Sequence, residues 1–188
     1  MVDRWAGWDL GSKTASIWGN PPVPVTFKQR VRNRLRDRVI YLDTMNLNKK
    51  SMREFVEQWR AEKPRTVFGH AHSIYVFATF LKENQIQDLR PGGIVATSMM
   101  LLDHERQTIE DAFDCAVTNR YGCEEVGLIA CECEKHNGMH LNLPHVYVEF
   151  LDDTNMPVQA GEPGKVVVTD LNNFAMPLIR YRVEDVGV

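Results

Sequence analysis

Apolar residues recur at helical spacing in several stretches of the chain. Met52, Phe55, Val56 and Trp59 fall on one helical face. That helix is predicted to start at the capping box Ser51-Met52-Arg53-Glu54, where the serine hydroxyl can bond the amide three residues on and the glutamate can reach back. Pro64 limits its far end. Ile74, Phe77, Ala78 and Leu81 predict a second helix over Ser73–Asn84, and a third runs from about Asp103 to Phe113. Phe27, Val31 and Leu35, four apart, predict a basic amphipathic helix from Phe27 to Val39. Short β-rich runs at Arg65–Phe68, Gly93–Thr97 and Cys115–Asn119 lie between the later helices. Strands alternating with helices imply an α/β fold, a mostly parallel sheet with covering helices.

The period changes after residue 126. Val146, Val148 and Phe150 alternate with Tyr147 and Glu149, and turn signals stand at Asp152-Asp153 and Gly161-Glu162-Pro163-Gly164 before the β-branched run Val166–Thr169. This predicts an antiparallel β subdomain over 126–188, following an α/β part over 1–125. Residues 1–26, rich in Trp, Gly and Pro (Trp5, Trp8, Trp18, Pro21, Pro22, Pro24), predict an irregular segment that packs through its aromatic rings.

Composition narrows the function classes. With 188 residues, of which 44% are hydrophobic, the chain can bury a substantial core. A formal charge of −3 gives no reason to expect bulk attraction to nucleic acid or an anionic membrane. The cations Lys28, Arg30, Arg32, Arg34, Arg36 and Arg38 read first as a solvated helix face. No apolar run has the length to cross a bilayer and the N-terminus lacks a signal-peptide layout, so a cytoplasmic address is expected. Four cysteines do not make a disulfide framework in a chain of this size; they read as thiols or metal ligands.

Two segments carry the candidate chemistry. The first is Arg120-Tyr121-Gly122-Cys123-Glu124-Glu125-Val126-Gly127, of Tyr-Gly-x-x-Glu form. The second is Ala175-Met176-Pro177-Leu178-Ile179-Arg180-Tyr181-Arg182, followed by Asp185. Taken singly, Tyr121 reads as a core aromatic, Glu125 as a surface carboxylate and Asp185 as a turn residue. As an ordered pair, the segments resemble two nucleotide-site motifs of the adenylate-forming (AMP-binding) superfamily, in its branch of phenylacetate–coenzyme A ligases and capsular polysaccharide biosynthesis proteins.

The resemblance implies a site and a reaction. Tyr121 and Gly122 would lie against adenine, with the tyrosine ring stacked on the base. Glu125, the implied catalytic residue, would hold magnesium bridging the phosphates, a hard cation suited to a carboxylate. Asp185 would accept hydrogen bonds from both ribose hydroxyls. Thr97 and Ser98, in Ala96-Thr97-Ser98-Met99-Met100-Leu101, would form the adenine-contacting turn, although Met99 and Met100 replace small or acidic residues of relatives. His70 and His72 would line the acid pocket, or be histidines satisfied at a helix start. Glu124 stands where relatives often carry threonine, adding a second carboxylate beside the phosphates.

The implied reaction joins a small-molecule carboxylic acid to ATP, giving an acyl-adenylate and pyrophosphate, and passes the acyl group to a thiol such as coenzyme A. The chain lacks the family's phosphate loop and stops at Val188 after the second motif, so an internal piece of the large domain, inactive alone, is expected. The alternative is a non-catalytic, nucleotide-responsive or interaction protein associated with polysaccharide biosynthesis. A third reading starts from Cys131-x-Cys133-x-x-His136-x-x-x-His140, ligand types that suit zinc; it is a zinc-binding module whose Arg-rich helix meets nucleic acid. Otherwise these are reduced cysteines near a hairpin turning at Asn137-Gly138.

Overall fold

Short β-branched runs become the strands of a parallel sheet, and the amphipathic runs between them become helices. A computed structural model describes residues 6–7, 11–22 and 25–188. Trp5, Trp8 and Pro24, expected in an irregular aromatic segment, lie outside the described residues. The chain divides into two compact units, Met1–Arg120 with Glu132–Gly138, and Tyr121–Cys131 with Met139–Val188.

In the first unit β1 (Thr14–Trp18), β2 (Val39–Asp43), β3 (Thr66–His70), β4 (Gly93–Thr97) and β5 (Val117–Cys123) are ordered β2-β1-β3-β4-β5. The four neighbouring pairs are all parallel. The chain steps outward from β1 to β2, then back past β1 to β3, so the order reverses beside β1. In open α/β sheets such a switch point marks the ligand-binding end, at the carboxyl ends of the strands. Trp18, Asp43, His70 and Thr97 stand at those ends.

The helices are α1 (Phe27–Arg32), α2 (Lys49–Glu62), α3 (Ala71–Glu83) and α4 (Asp103–Phe113). Met52, Phe55, Val56 and Trp59 of α2 are buried as their spacing predicts. They join α3, α4 and the inward strand residues Ile17, Leu42, Val67 and Ile94 in one core. Fully burying each large aliphatic or aromatic side chain contributes roughly 1.5–3 kcal/mol, which makes this core the main support of the sheet edge above it.

Three expectations are corrected here. The segment expected to be irregular contains β1, whose Ala15 and Ile17 are fully buried; its run is short and was masked by neighbouring Trp, Gly and Pro. The helix expected from Phe27 to Val39 stops at Arg32, continues as a π turn over Asn33–Asp37, and ends where Arg38 is left-handed (φ 50°). Asn33 closes that turn, its side chain donating to the Val39 carbonyl at 3.0 Å and accepting from the Val39 amide at 3.1 Å. None of α1 is buried, so packing gives it no reason to continue. The cap of α2 is Asn48, which accepts from the Lys50 and Ser51 amides, while Ser51 is the third helical residue and reaches back to the Asn48 amide at 3.0 Å. The box therefore lies three residues earlier than Ser51–Glu54.

In the second unit strand order runs on from β5 to β6 (Gly127–Glu132) and β7 (Met139–Leu141). A separate antiparallel sheet is ordered β10-β9-β8, from β8 (Val146–Leu151), β9 (Gly164–Asp170) and β10 (Tyr181–Gly187). Val126, Ile129, Val146, Val166 and Val168 form its core. The fold is α/β with an antiparallel β part, as the change of period implies. Among the described residues no helix is long and apolar enough to cross a membrane.

Candidate functional site

The two motif segments meet within the second unit. β5 runs past the expected Asn119 to Cys123, so Tyr121 and Gly122 are strand residues leading into a tight turn to β6. Gly122 has no room for a side chain, because a Cβ there would stand 2.2 Å from the Gly127 carbonyl oxygen. The Tyr121 ring packs on the second core, and its hydroxyl donates to Asp185 Oδ2 at 2.8 Å across a sequence separation of 64.

Asp185 owes its position to an irregularity in β10. The register against β9 shifts between Arg182 and Val186, and Glu184 is left-handed with φ 68°. A bulge of this kind re-aims a side chain that a regular strand would direct elsewhere. Asp185 is exposed. Burial first, and then the bond to Asp185, push the Tyr121 hydroxyl well above the usual tyrosine range.

A second cross-motif contact lies beside the first. Tyr181 donates its hydroxyl to Glu125 Oε1 at 3.0 Å. The Glu125 carboxyl is held below its usual range by its own backbone amide, the Cys123 thiol and Tyr181. Burial, followed by the Glu125 carboxylate, pushes the Cys123 thiol up. Each motif thus supplies one tyrosine hydroxyl and one carboxylate to the other. Tyr181 and Cys123 carry no assigned role in the sequence reading; the signal for each is its place inside one of the two motif segments.

The other candidates for the base and the acid belong to the first unit. Thr97 ends β4 and is 8% exposed, whereas Ser98 is exposed and left-handed (φ 62°), the turn geometry that follows the strand. His70 ends β3 with its ring 3.9 Å from that of Trp18, and burial lowers its pKa, favouring the neutral imidazole. His72, on α3, directs Nδ1 to Glu105 Oε1 at 2.7 Å; Glu105 is 3% exposed. The two histidines therefore have different partners.

Cys131, Cys133, His136 and His140 do not form the expected zinc cluster. Among the described residues no group of three or more His, Cys, Asp or Glu side chains is placed to hold one metal ion. The reason is the residue between the cysteines. Glu132 is buried, its Oε1 accepts from Arg106 at 2.7 Å, and its Oε2 accepts from the Asn119 amide at 2.8 Å and lies 3.2 Å from His136 Nδ1. His136 is thus engaged by Glu132, and Cys131 is buried in β6.

No family model matches the chain. It is 24% identical over 178 residues to Protein CapK of Staphylococcus aureus, covering 93% of this chain and 38% of CapK. It is 34% identical over 84 residues to phenylacetate–coenzyme A ligase of Thermus thermophilus, covering 43% of this chain and 19% of that enzyme. Among solved structures, an open conformation of 2-hydroxyisobutyryl-CoA ligase, in complex with 2-HIB-AMP and CoA, superposes with a TM-score of 0.78 at 16% identity. It covers all of this chain, which spans 42% of that ligase. The chain is thus similar in sequence to CapK and to a phenylacetate–coenzyme A ligase, and it shares the fold of a 2-hydroxyisobutyryl-CoA ligase.

The donors present can be tested against what an adenylate-forming ligase binds. An ionised, exposed carboxylate at Glu125 offers the oxygen that magnesium prefers while leaving the remaining positions to phosphate and water, so the residue fits. Asp185 offers an acceptor that fits ribose hydroxyls. The Cys and His residues do not fit zinc in this arrangement.

Proposed function

We propose that this chain carries adenosine-binding residues of an adenylate-forming ligase that activates a carboxylic acid with ATP and transfers the acyl group to a thiol, coenzyme A being the thiol expected. The observation that carries this reading is the Tyr121–Asp185 bond, which joins the two motifs through a strand bulge. Tyr121 presents a ring, Gly122 leaves the backbone bare beside it, and Asp185 takes the ribose hydroxyls. Glu125 would hold the magnesium, which when bound neutralises phosphate charge as the carboxylate attacks. Thr97 and Ser98 are assigned to the base, and His70 and His72 to the acid. His72, oriented by buried Glu105, is the better placed of the two to donate to a substrate carboxylate.

Glu124 favours a second reading. It is exposed beside Glu125 and adds negative charge where phosphates would lie, as suits a nucleotide-responsive protein of polysaccharide biosynthesis that binds AMP without forming an adenylate. Calorimetric titration of AMP with magnesium tests the binding common to both. Saturable binding, weakened by about ten-fold or more in Asp185→Ala, is expected from losing a charge-assisted hydrogen bond worth roughly 1.5–3 kcal/mol. Equal binding by wild type and variant would sink the assignment. Binding of AMP but not of ATP would favour the second reading.

A further inference from the structure

The arginine-rich run and the entry ends of the sheet converge on a feature that the nucleotide site does not use. Where β1, β2 and β3 begin, a cleft of about 380 Å³ is lined by Lys13, Arg38, Glu62, Lys63 and Arg65 among others. This is the end of the strands opposite His70 and Thr97. It shares no residue with Tyr121, Glu125 or Asp185.

Among the described residues four cations face one carboxylate here, in a chain whose formal charge is −3. Lys13 closes onto Glu62 in an ion pair, so the carboxylate is already matched. Arg38, Lys63 and Arg65 form no ion pair among the described residues. Arg34, on the π turn, is near enough to Glu62 to help lower its carboxyl pKa, after the larger effect of Lys13, and so brings further positive charge to the rim.

The frame holding these cations is built from backbone. Arg38 ends the π turn and Lys63 ends α2, both left-handed, at φ 50° and 46°. The Thr14 amide donates to the Arg38 carbonyl at 3.0 Å and the Arg65 amide to the Lys13 carbonyl at 2.8 Å, tying the strand entries together. Arg38 Nη1 donates to the Gly11 carbonyl at 2.7 Å, which fixes its guanidinium while leaving other N–H groups. Like charges lining one cleft favour an anion that joins them, and guanidinium forks match phosphate oxygens.

We infer that this cleft binds a compact multi-phosphate anion. Arg34 of the π turn then adds to the field around a built site, while the cations of α1 remain a solvated face.

Tripolyphosphate titrated into the chain by calorimetry, at matched ionic strength, tests the inference. Saturable binding at one site is expected. Lys63→Asn with Arg65→Gln should weaken it by about ten-fold or more, asparagine being chosen because it tolerates the left-handed backbone. Lys28→Gln with Arg30→Gln, charges outside the cleft, should change it by less than about two-fold. Circular dichroism identical to wild type checks that both pairs fold. Asp185→Ala should bind tripolyphosphate normally, which separates failure here from failure of the nucleotide assignment. Equal weakening by the two double variants would mean diffuse charge attraction and overturn the inference, as would absence of saturation. Capture by RNA or anionic vesicles that tripolyphosphate cannot displace would also overturn it.

Discussion

Glu184 sits in a backbone region that costs most residues about 1–2 kcal/mol, and the surrounding strand pair holds it there. The return is that Asp185 meets the Tyr121 hydroxyl. That bond has a measurable signature. Tyr121 should ionise above the ordinary tyrosine range in an ultraviolet titration; Asp185→Asn should lower its midpoint only part of the way, because burial is the larger cause. The sign for stability follows from linkage. A tyrosine in the unfolded chain titrates near about pH 10, while the folded group titrates higher, so its stabilising contribution is whole below that pH and declines as pH rises further. Urea unfolding should therefore show a falling alkaline limb that is flatter in Tyr121→Phe. An unchanged limb would show that Tyr121 does not titrate above the ordinary range in the folded protein. None of this was legible in the sequence: the motif order suggested a pair of partners, but the contact requires a bulge that no residue pattern announces.

At the scale of elements, what could be read depended on whether packing and local propensity agreed. The helices α2, α3 and α4 were legible because apolar periodicity coincided with burial, and the β4 run Gly93–Thr97 was found entire. β2 was hidden because Val39 had been assigned to the end of the arginine-rich helix, and only the Asn33 side chain marks the break. The cap of α2 gives a direct check on the register. Asn48→Ala should cost about 1 kcal/mol in urea unfolding, whereas Glu54→Ala, exposed and outside the box, should cost close to zero. The reverse ranking would restore the box to Ser51 and Glu54.

The Cys-Glu-Cys segment shows how residue type can mislead. Soft ligands drew attention to the flanking positions, yet the buried Glu132 between them organises α4, β5 and β6 through Arg106 and the Asn119 amide. Burial acts to raise the Glu132 pKa, but the Asn119 amide, Arg106 and His136 outweigh it and leave it lowered. A lowered carboxyl contributes stability above the unfolded value, near about 4.3, and loses it as pH falls through the folded one. Glu132→Gln should accordingly be destabilised near pH 7 by roughly 1.5–3 kcal/mol, the scale of a lost charged hydrogen bond, since Arg106 keeps Glu110 at 3.7 Å, with a flatter acid limb. Parallel acid limbs in wild type and variant would show that Glu132 does not titrate as described.

For the whole molecule, alternation of strands and helices followed by a change of period was enough to give the fold class, because the first unit's sheet and the second unit's antiparallel strands each impose a different period on the sequence. The candidate site is assembled from segments distant in sequence, and the chain spans 38% of CapK and 42% of the 2-hydroxyisobutyryl-CoA ligase. The central claim is that Asp185 reads the ribose. Its most direct test is a cycle of AMP and 2′,3′-dideoxy-AMP binding to wild type and Asp185→Ala. Removing the hydroxyls should weaken binding to wild type by about ten-fold, the scale of one charge-assisted hydrogen bond, and leave binding to the variant unchanged. Equal weakening in both proteins would mean that the hydroxyls are held elsewhere, and the site built on Tyr121 and Asp185 would be wrong.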